Sequence, residues 1–125
     1  AGLPPPVVLR GYGQSMAPTE KQTERIREVI LERDGVTEKK MFGGVAWMID
    51  GNMAIGTFDD DGLLVRVPRD EYDAALAEPH AGPMEMGGRT MRGFVVVDAT
   101  GIEDEADLAE WIETGASYAS SLPAK

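Results

Sequence analysis

Alternation of apolar positions between residues 44 and 67 predicts the centre of the fold. Apolar side chains recur at every second position from Val45 to Ile49, which predicts a strand with two unlike faces. Asp50-Gly51 follows, a pair typical of the tight hairpin turn whose two central residues need positive φ. Further strands are predicted over 52–58 and 63–67. Links this short predict antiparallel neighbours, because parallel strands need a long crossover.

Two stretches on either side of this unit have the spacing of helices. A capping box at Thr19 and Gln22 and a narrow apolar stripe predict a helix over about 19–34. Gly35 then suits a left-handed cap. A shorter helix, bounded by prolines, is predicted over about 68–77.

The C-terminal third predicts two strands and a long helix. The strands cover 84–86 and 89–98, and the helix begins with a capping box at Thr100 and Glu103 and extends to about residue 122. The predicted fold class is therefore α+β. It has two layers, with a curved antiparallel sheet and flanking N- and C-terminal helices in the order α-β-β-β-α-β-β-α.

Length and composition predict one domain, covering residues 16–125. Residues 1–15 contain three consecutive prolines and no regular period, so we expect a disordered or vector-derived leader, with Met16 as the natural start. No apolar run approaches the roughly 18 residues of a membrane helix. The chain has no cysteine, which excludes disulfides and thiol chemistry. We expect a cytoplasmic protein without membrane association.

The chain is strongly acidic, with 22 acidic and 12 basic residues and a formal net charge of −10. This balance opposes autonomous binding to a phosphate backbone, which relies on clustered Lys and Arg. It permits a basic protein partner, and a local basic patch remains compatible with it. We therefore expect a protein partner of unknown identity and no direct nucleic-acid binding, while a homodimer is compatible with the sequence.

No group of residues has the pattern of a catalytic or metal site. His80 is the sole histidine and lies between prolines, which is typical of a surface loop. Asp59-Asp60-Asp61-Gly62 lacks the alternating ligands of a calcium loop and predicts a polar turn. We therefore predict a non-enzymatic protein with no catalytic residues, no metal site and no cofactor.

Two double-glycine motifs are the sharpest features of the sequence. They are Met41-Phe42-Gly43-Gly44 and Met86-Gly87-Gly88-Arg89. Glycine weakens a strand, so each pair indicates positive φ, a bulge or a close backbone approach. One hypothesis is architectural: the motifs let two strands bend. The other is a binding concavity for an anion or small molecule, built from backbone amides, Arg89 and also Arg92.

The motifs occur in an order that resembles the N-terminal domain of the TfoX family, also called Sxy. The resemblance covers about residues 19–122, and four segments carry it: Met41 to Gly44, Asp50-Gly51 with Met53-Ala54, Glu85 to Met91, and Leu108-Ala109-Glu110-Trp111. It implies a two-layer α+β domain, similar in outline to secretion-chaperone-like folds. Full-length members resemble regulators of competence genes that act with the cyclic-AMP receptor protein and carry a second, C-terminal domain. The family supplies no catalytic residues to carry over.

These observations predict an interaction module that acts as a transcriptional co-regulator through a protein partner. The chain stops at Lys125, so it is either a stand-alone single-domain member or a piece of a longer protein. The alternative function is a small-molecule or anion-binding domain that uses both double-glycine motifs and Arg89.

Overall fold

The computed structural model describes residues 20–41, 44–58 and 61–125. Several sequence predictions concern residues outside these ranges: the leader over 1–15, the start at Met16, the cap at Thr19, the central pair Phe42-Gly43 and the turn residues Asp59-Asp60. Within the described ranges, no helix has both the length and the apolar character needed to cross a membrane.

Helices and strands alternate in blocks along the chain. The elements are α1 (Glu20–Ile30), β1 (Val36–Met41), β2 (Gly44–Ile49), β3 (Asn52–Phe58), β4 (Gly62–Arg66), α2 (Tyr72–Leu76), β5 (Ala81–Met86), β6 (Arg89–Val97) and α3 (Glu105–Ser121). Short 3₁₀ turns over Arg69–Glu71 and Ala99–Ile102 precede α2 and α3. All strand pairs are antiparallel, in the order β1-β2-β3-β4-β6-β5. The predicted α+β class is confirmed.

The core lies between the sheet and the helices. α3 packs over β2, β3 and β4, α1 packs against α3, and α2 packs over β5 and β6. One apolar cluster joins these elements, and its fully buried members include Trp47, Ile55, Leu63, Ile102 and Ile112. The predicted two-layer packing is therefore present.

Most predicted elements are present with shifted ends. Asp50 (φ 51°) and Gly51 (φ 87°) form the predicted hairpin turn, and Gly35 has the predicted positive φ of 79°. α1 ends at Ile30 rather than at residue 34, and turns connect it to Gly35. β5 begins at Ala81, earlier than predicted, because its edge position tolerates a proline.

The structure corrects two other expectations. It adds a strand, β1, whose Val-Thr-Glu-Lys-Lys-Met sequence has no apolar alternation. It also replaces the predicted capping box at Thr100 and Glu103. The carboxylate of Asp104 accepts a hydrogen bond from the Ala106 amide at 2.7 Å and caps α3, while Asp98 caps the preceding 3₁₀ turn. An aspartate can cap either turn directly, so no distant glutamate is needed.

The side chain of Arg25 joins α1 to the start of α3. Its guanidinium donates to the carbonyl oxygens of Ile102 (2.8 Å) and Glu103 (3.1 Å), to Gln22 Oε1 (2.8 Å) and to the Glu105 carboxylate (3.0 Å). Only 19% of the side chain is exposed. The fixed fork of a guanidinium suits several acceptors at once, so this contact orients one helix against the other.

We expect Arg25→Ala to lower the free energy of unfolding by about 2–3 kcal/mol, because a charged donor is removed from partly buried acceptors. Arg25→Lys should recover less than half of the loss, since an ammonium cannot span the same acceptors. Urea denaturation measures both. Arg33→Ala is the matched control: Arg33 reaches only Glu113, which is 63% exposed, so it should cost about 0–1 kcal/mol. Equal losses at the two arginines would contradict the assignment.

Candidate functional site

A groove lies between α2 and α3. It has a volume of about 540 Å³, and His80 and Gly101 are among the residues that line it. The lining residues on each side are spaced i, i+3, i+4 and i+7. Those of α3 share one face of the helix, whereas the other set extends from the 3₁₀ turn before α2 to the turn after it. These are Glu71, Ala74, Ala75 and Glu78 on the first side, and Asp107, Glu110, Trp111 and Thr114 on the second.

The groove is apolar at its centre and acidic along its rim. Val67, which is almost fully buried, and the half-buried Ala75 and Trp111 form the apolar part. The exposed carboxylates of Glu71, Glu78, Asp107 and Glu110 surround it. No Lys or Arg lines the groove, and among the described residues none of these four carboxylates forms an ion pair. The groove is therefore suited to a ligand with an apolar centre and positive charge.

His80, which lines the groove, has a backbone conformation that is uncommon for a residue other than glycine. Its φ is +69°, and its Nδ1 lies 3.4 Å from Asp98 Oδ1. Gly101 lies in the 3₁₀ turn before α3 and allows that turn to approach His80, because a Cβ added to Gly101 would lie 2.7 Å from the Cβ of His80. His80 is exposed, as predicted, yet it also lines the groove.

The groove has features of a binding site rather than of a metal centre. Among the described residues, no three His, Asp or Glu side chains are grouped so that they could hold a metal ion. The exposed carboxylates have the chemistry to accept hydrogen bonds from Lys or Arg groups of a ligand, and Trp111 adds an aromatic ring to the lining.

The two outer residues of the first double-glycine motif belong to β1 and β2. Met41 is the last residue of β1, Gly44 is the first of β2, and the two are paired. Phe42 and Gly43 lie outside the described residues. The binding and architectural hypotheses for this motif both remain predictions.

The second double-glycine motif forms the turn between β5 and β6, with Met86 paired to Arg89. Gly87 (φ 60°) and Gly88 (φ 80°) both occupy the left-handed region, as a two-residue hairpin turn requires. A Cβ added to either glycine would meet nothing within 4 Å. Backbone conformation, rather than close approach of another group, therefore explains this pair.

The two motifs are not brought together. Neighbouring strands are antiparallel throughout the sheet, so β1 and β6 run in the same direction. One turn follows the end of β1 and the other precedes the start of β6. They therefore lie at opposite ends of the sheet, near opposite edges, and Arg89 cannot complete one concavity with both motifs.

The groove residues were not identified from the sequence, although a signal was present. Each set of four positions spaced i, i+3, i+4 and i+7 combines two acidic residues with two residues that carry no charge. An acidic helix face is usually solvated, so this pattern acquires meaning only when two such faces meet.

The fold and groove together define a small two-layer α+β domain with a helix-lined binding surface. Residues 28–119 match the TfoX N-terminal domain family, and the chain belongs to that family. This confirms the family assignment made from the ordered motifs. The family is not a known enzyme family. No curated protein and no solved structure matches the chain.

Proposed function

We propose that the chain is a non-enzymatic interaction module whose groove binds a basic segment of a partner protein. In this proposal the domain works in the cytoplasm as a transcriptional co-regulator, and it reaches nucleic acid only through that partner. The observation that carries the proposal is the groove between α2 and α3, with apolar side chains at its centre and carboxylates on both sides. Membership of the TfoX N-terminal domain family supports the regulatory role.

The dimensions of the groove favour a short helix or an extended peptide. The lining positions of α3 cover seven residue steps, which corresponds to about 10 Å at the rise of an α-helix. Two turns of a partner helix would therefore contact its full length. Apolar anchors of that helix would lie against Trp111 and Ala75, with Lys or Arg on its flanks next to the carboxylates.

The acidity of the whole chain would assist this encounter. A net charge of −10 attracts a basic segment from a distance, whereas the same charge repels a phosphate backbone. Attraction between exposed charges is screened over about 10 Å at 0.1 M salt. The affinity for a basic peptide should therefore fall as salt is added, with an apolar contribution that remains.

A designed peptide tests the groove directly. We expect a helical peptide of about 15 residues, with Leu at i and i+4 and Lys on both flanks, to bind and to alter tryptophan fluorescence. Trp111 lines the groove and Trp47 is fully buried, so the signal reports on the groove. Glu71→Lys with Glu110→Lys should weaken binding about tenfold or more, through repulsion of the lysines.

The matched control is Glu28→Lys with Glu85→Lys, which makes the same change of net charge at exposed positions outside the groove. This variant should retain binding to within about threefold, because it alters only the long-range field. A natural partner captured from lysate should be retained by the control and lost by the groove variant. If both double variants weaken binding equally, or a peptide with Glu in place of Lys binds as well, the groove is not the site.

A second candidate function is binding of a small cationic molecule in the same groove. The observation that favours it is the volume of about 540 Å³, because small-molecule sites usually measure roughly 300–1,000 Å³. An alkyl amine that competes with the peptide at millimolar concentration, without any protein being captured by the parent chain, would support this candidate over a protein partner.

A further inference from the structure

A smaller cavity, of about 220 Å³, lies where α2 begins beside β6. It shares no lining residue with the acidic groove, and its residues have a different character. They are Arg69, Tyr72, Asp73, Arg92 and Gly93. Two arginines and one carboxylate give this cavity a net positive lining on a chain of net charge −10.

The two arginines differ from those of α1 and its following turn. Arg25, Arg27 and Arg33 all pair with carboxylates. Arg69 and Arg92 are exposed and form no hydrogen bond or ion pair with any described residue. The Arg92 guanidinium instead stacks over the Tyr72 ring, with its Cζ 5.9 Å from the ring centroid. Both guanidinium groups thus keep their donors available to a ligand.

Tyr72 supplies an independent observation. Its side chain is 6% exposed, and its hydroxyl is the single buried side-chain polar atom without a hydrogen-bond partner among the described residues. A buried hydroxyl without a partner costs free energy. Because this hydroxyl is closed to solvent, it does not meet a ligand in the open cavity, and Tyr72 contributes to the cavity wall through its other atoms.

We propose that this cavity binds a small oxyanion of the phosphate class. The guanidinium groups of Arg69 and Arg92 donate to its oxygens, and the Tyr72 ring holds the Arg92 guanidinium in place. Guanidinium forks match the geometry of phosphate oxygens. The volume accommodates the phosphate group, while any larger organic part extends into solvent. The site does not depend on the acidic groove, and it differs from the double-glycine turn at Arg89.

Asp73 also lines the cavity, and its carboxylate repels a bound anion. Removing that charge should therefore strengthen binding. A cavity that served only to pack α2 against β6 would show no such gain.

The test is calorimetric titration of the whole chain with inorganic phosphate, against chloride at the same ionic strength. Arg69→Gln and Arg92→Gln should each weaken phosphate binding about tenfold, and Asp73→Asn should strengthen it about threefold. Arg89→Gln is the matched control: it removes a guanidinium from the same strand but outside the cavity, and it should leave the affinity unchanged. A parallel titration with glycerol phosphate distinguishes a free ion from a phosphomonoester, since the natural ligand form should bind more tightly.

Tyr72→Phe separates binding from packing. The ring and its stack remain and the lost hydroxyl is closed to solvent, so the melting temperature without phosphate should not fall and phosphate affinity should stay within about twofold. A loss of affinity as large as that of Arg92→Gln would overturn the assignment of the donors to the two arginines. The site as a whole would be overturned by the absence of saturable heat with phosphate, or by an equal loss in Arg89→Gln.

Discussion

Replacing Gly115 by valine should lower the free energy of unfolding by about 3 kcal/mol, the upper end of what overpacking a core usually costs. Gly115 lies in α3, where a Cβ would meet the Ala54 carbonyl oxygen at 2.5 Å and Ile55 Cγ2 at 2.8 Å. The first of these contacts is with backbone, which cannot rotate away. α3 would therefore have to move off β3. Urea denaturation measures the loss, and the slope of the free energy of unfolding against urea concentration should stay unchanged.

Ala54, whose carbonyl oxygen lies next to Gly115, is the extra residue of a β-bulge in β3. The register between β2 and β3 shifts between Trp47 and Met48, which leaves Ala54 without a paired residue in β2. Gly115→Ala should cost about 1–2 kcal/mol, because the better helix propensity of alanine offsets part of the clash. Ser120→Val, at an exposed site of the same helix, should cost less than about 1 kcal/mol and is the control. A loss at Gly115→Val no larger than this control would show that α3 can shift freely.

Local sequence signals predicted those parts of the fold that local chemistry determines. Asp50-Gly51 between two apolar runs requires little beyond its own backbone to form a turn, and both residues have the expected positive φ. The helix predicted to end near residue 122 is likewise present as α3, and its Leu108 and Ile112 are buried. The helical and strand periods therefore gave the α+β class and the antiparallel neighbours.

Features that depend on distant partners were not predictable in this way. β1 is a strand because β2 supplies a paired edge and because Arg27, from α1, holds Glu38 in place. The arginines of α1 and of the turn after it look like a solvated face in sequence, yet Arg25 and Arg33 reach α3. Ion pairs between elements far apart in sequence leave no periodic signature.

The candidate sites show the same difference between features set by local sequence and features set by tertiary contacts. The double-glycine motifs stand out in sequence because glycine is conspicuous, and the pair at Gly87-Gly88 has a conformation that glycine adopts readily. The acidic groove consists of ordinary helix faces that become a site only when α2 and α3 face each other. The cavity at Arg69 and Arg92 likewise requires α2 to lie beside β6. Binding surfaces between elements are thus products of the tertiary fold.

A carboxylate at position 38 links three elements through one hydrogen-bonded cluster. Glu38, in β1, accepts two hydrogen bonds from Arg27 of α1, at 2.8 and 2.7 Å. It also accepts one from Trp47 Nε1 of β2, at 2.9 Å, and Trp47 is fully buried. The hydrogen bonds from Arg27 hold the pKa of Glu38 below its ordinary value of 4.5, against the opposing effect of burial.

Glu38→Ala should therefore lower the free energy of unfolding by about 2–3 kcal/mol near pH 7, because the buried indole N–H and the guanidinium both lose their acceptor. The pKa of Glu38 is lower in the folded than in the unfolded state, so its ionic contribution is complete above the unfolded value and is lost as pH falls through the folded value. Parent and variant should thus converge in acid, as urea denaturation at a series of pH values would show. Glu24→Ala removes the more exposed partner of the same Arg27, and it should cost only about 0–1 kcal/mol. A gap between parent and Glu38→Ala that stays constant into acid would mean that the carboxylate's charge contributes nothing, and that the acceptor for Trp47 alone accounts for the loss.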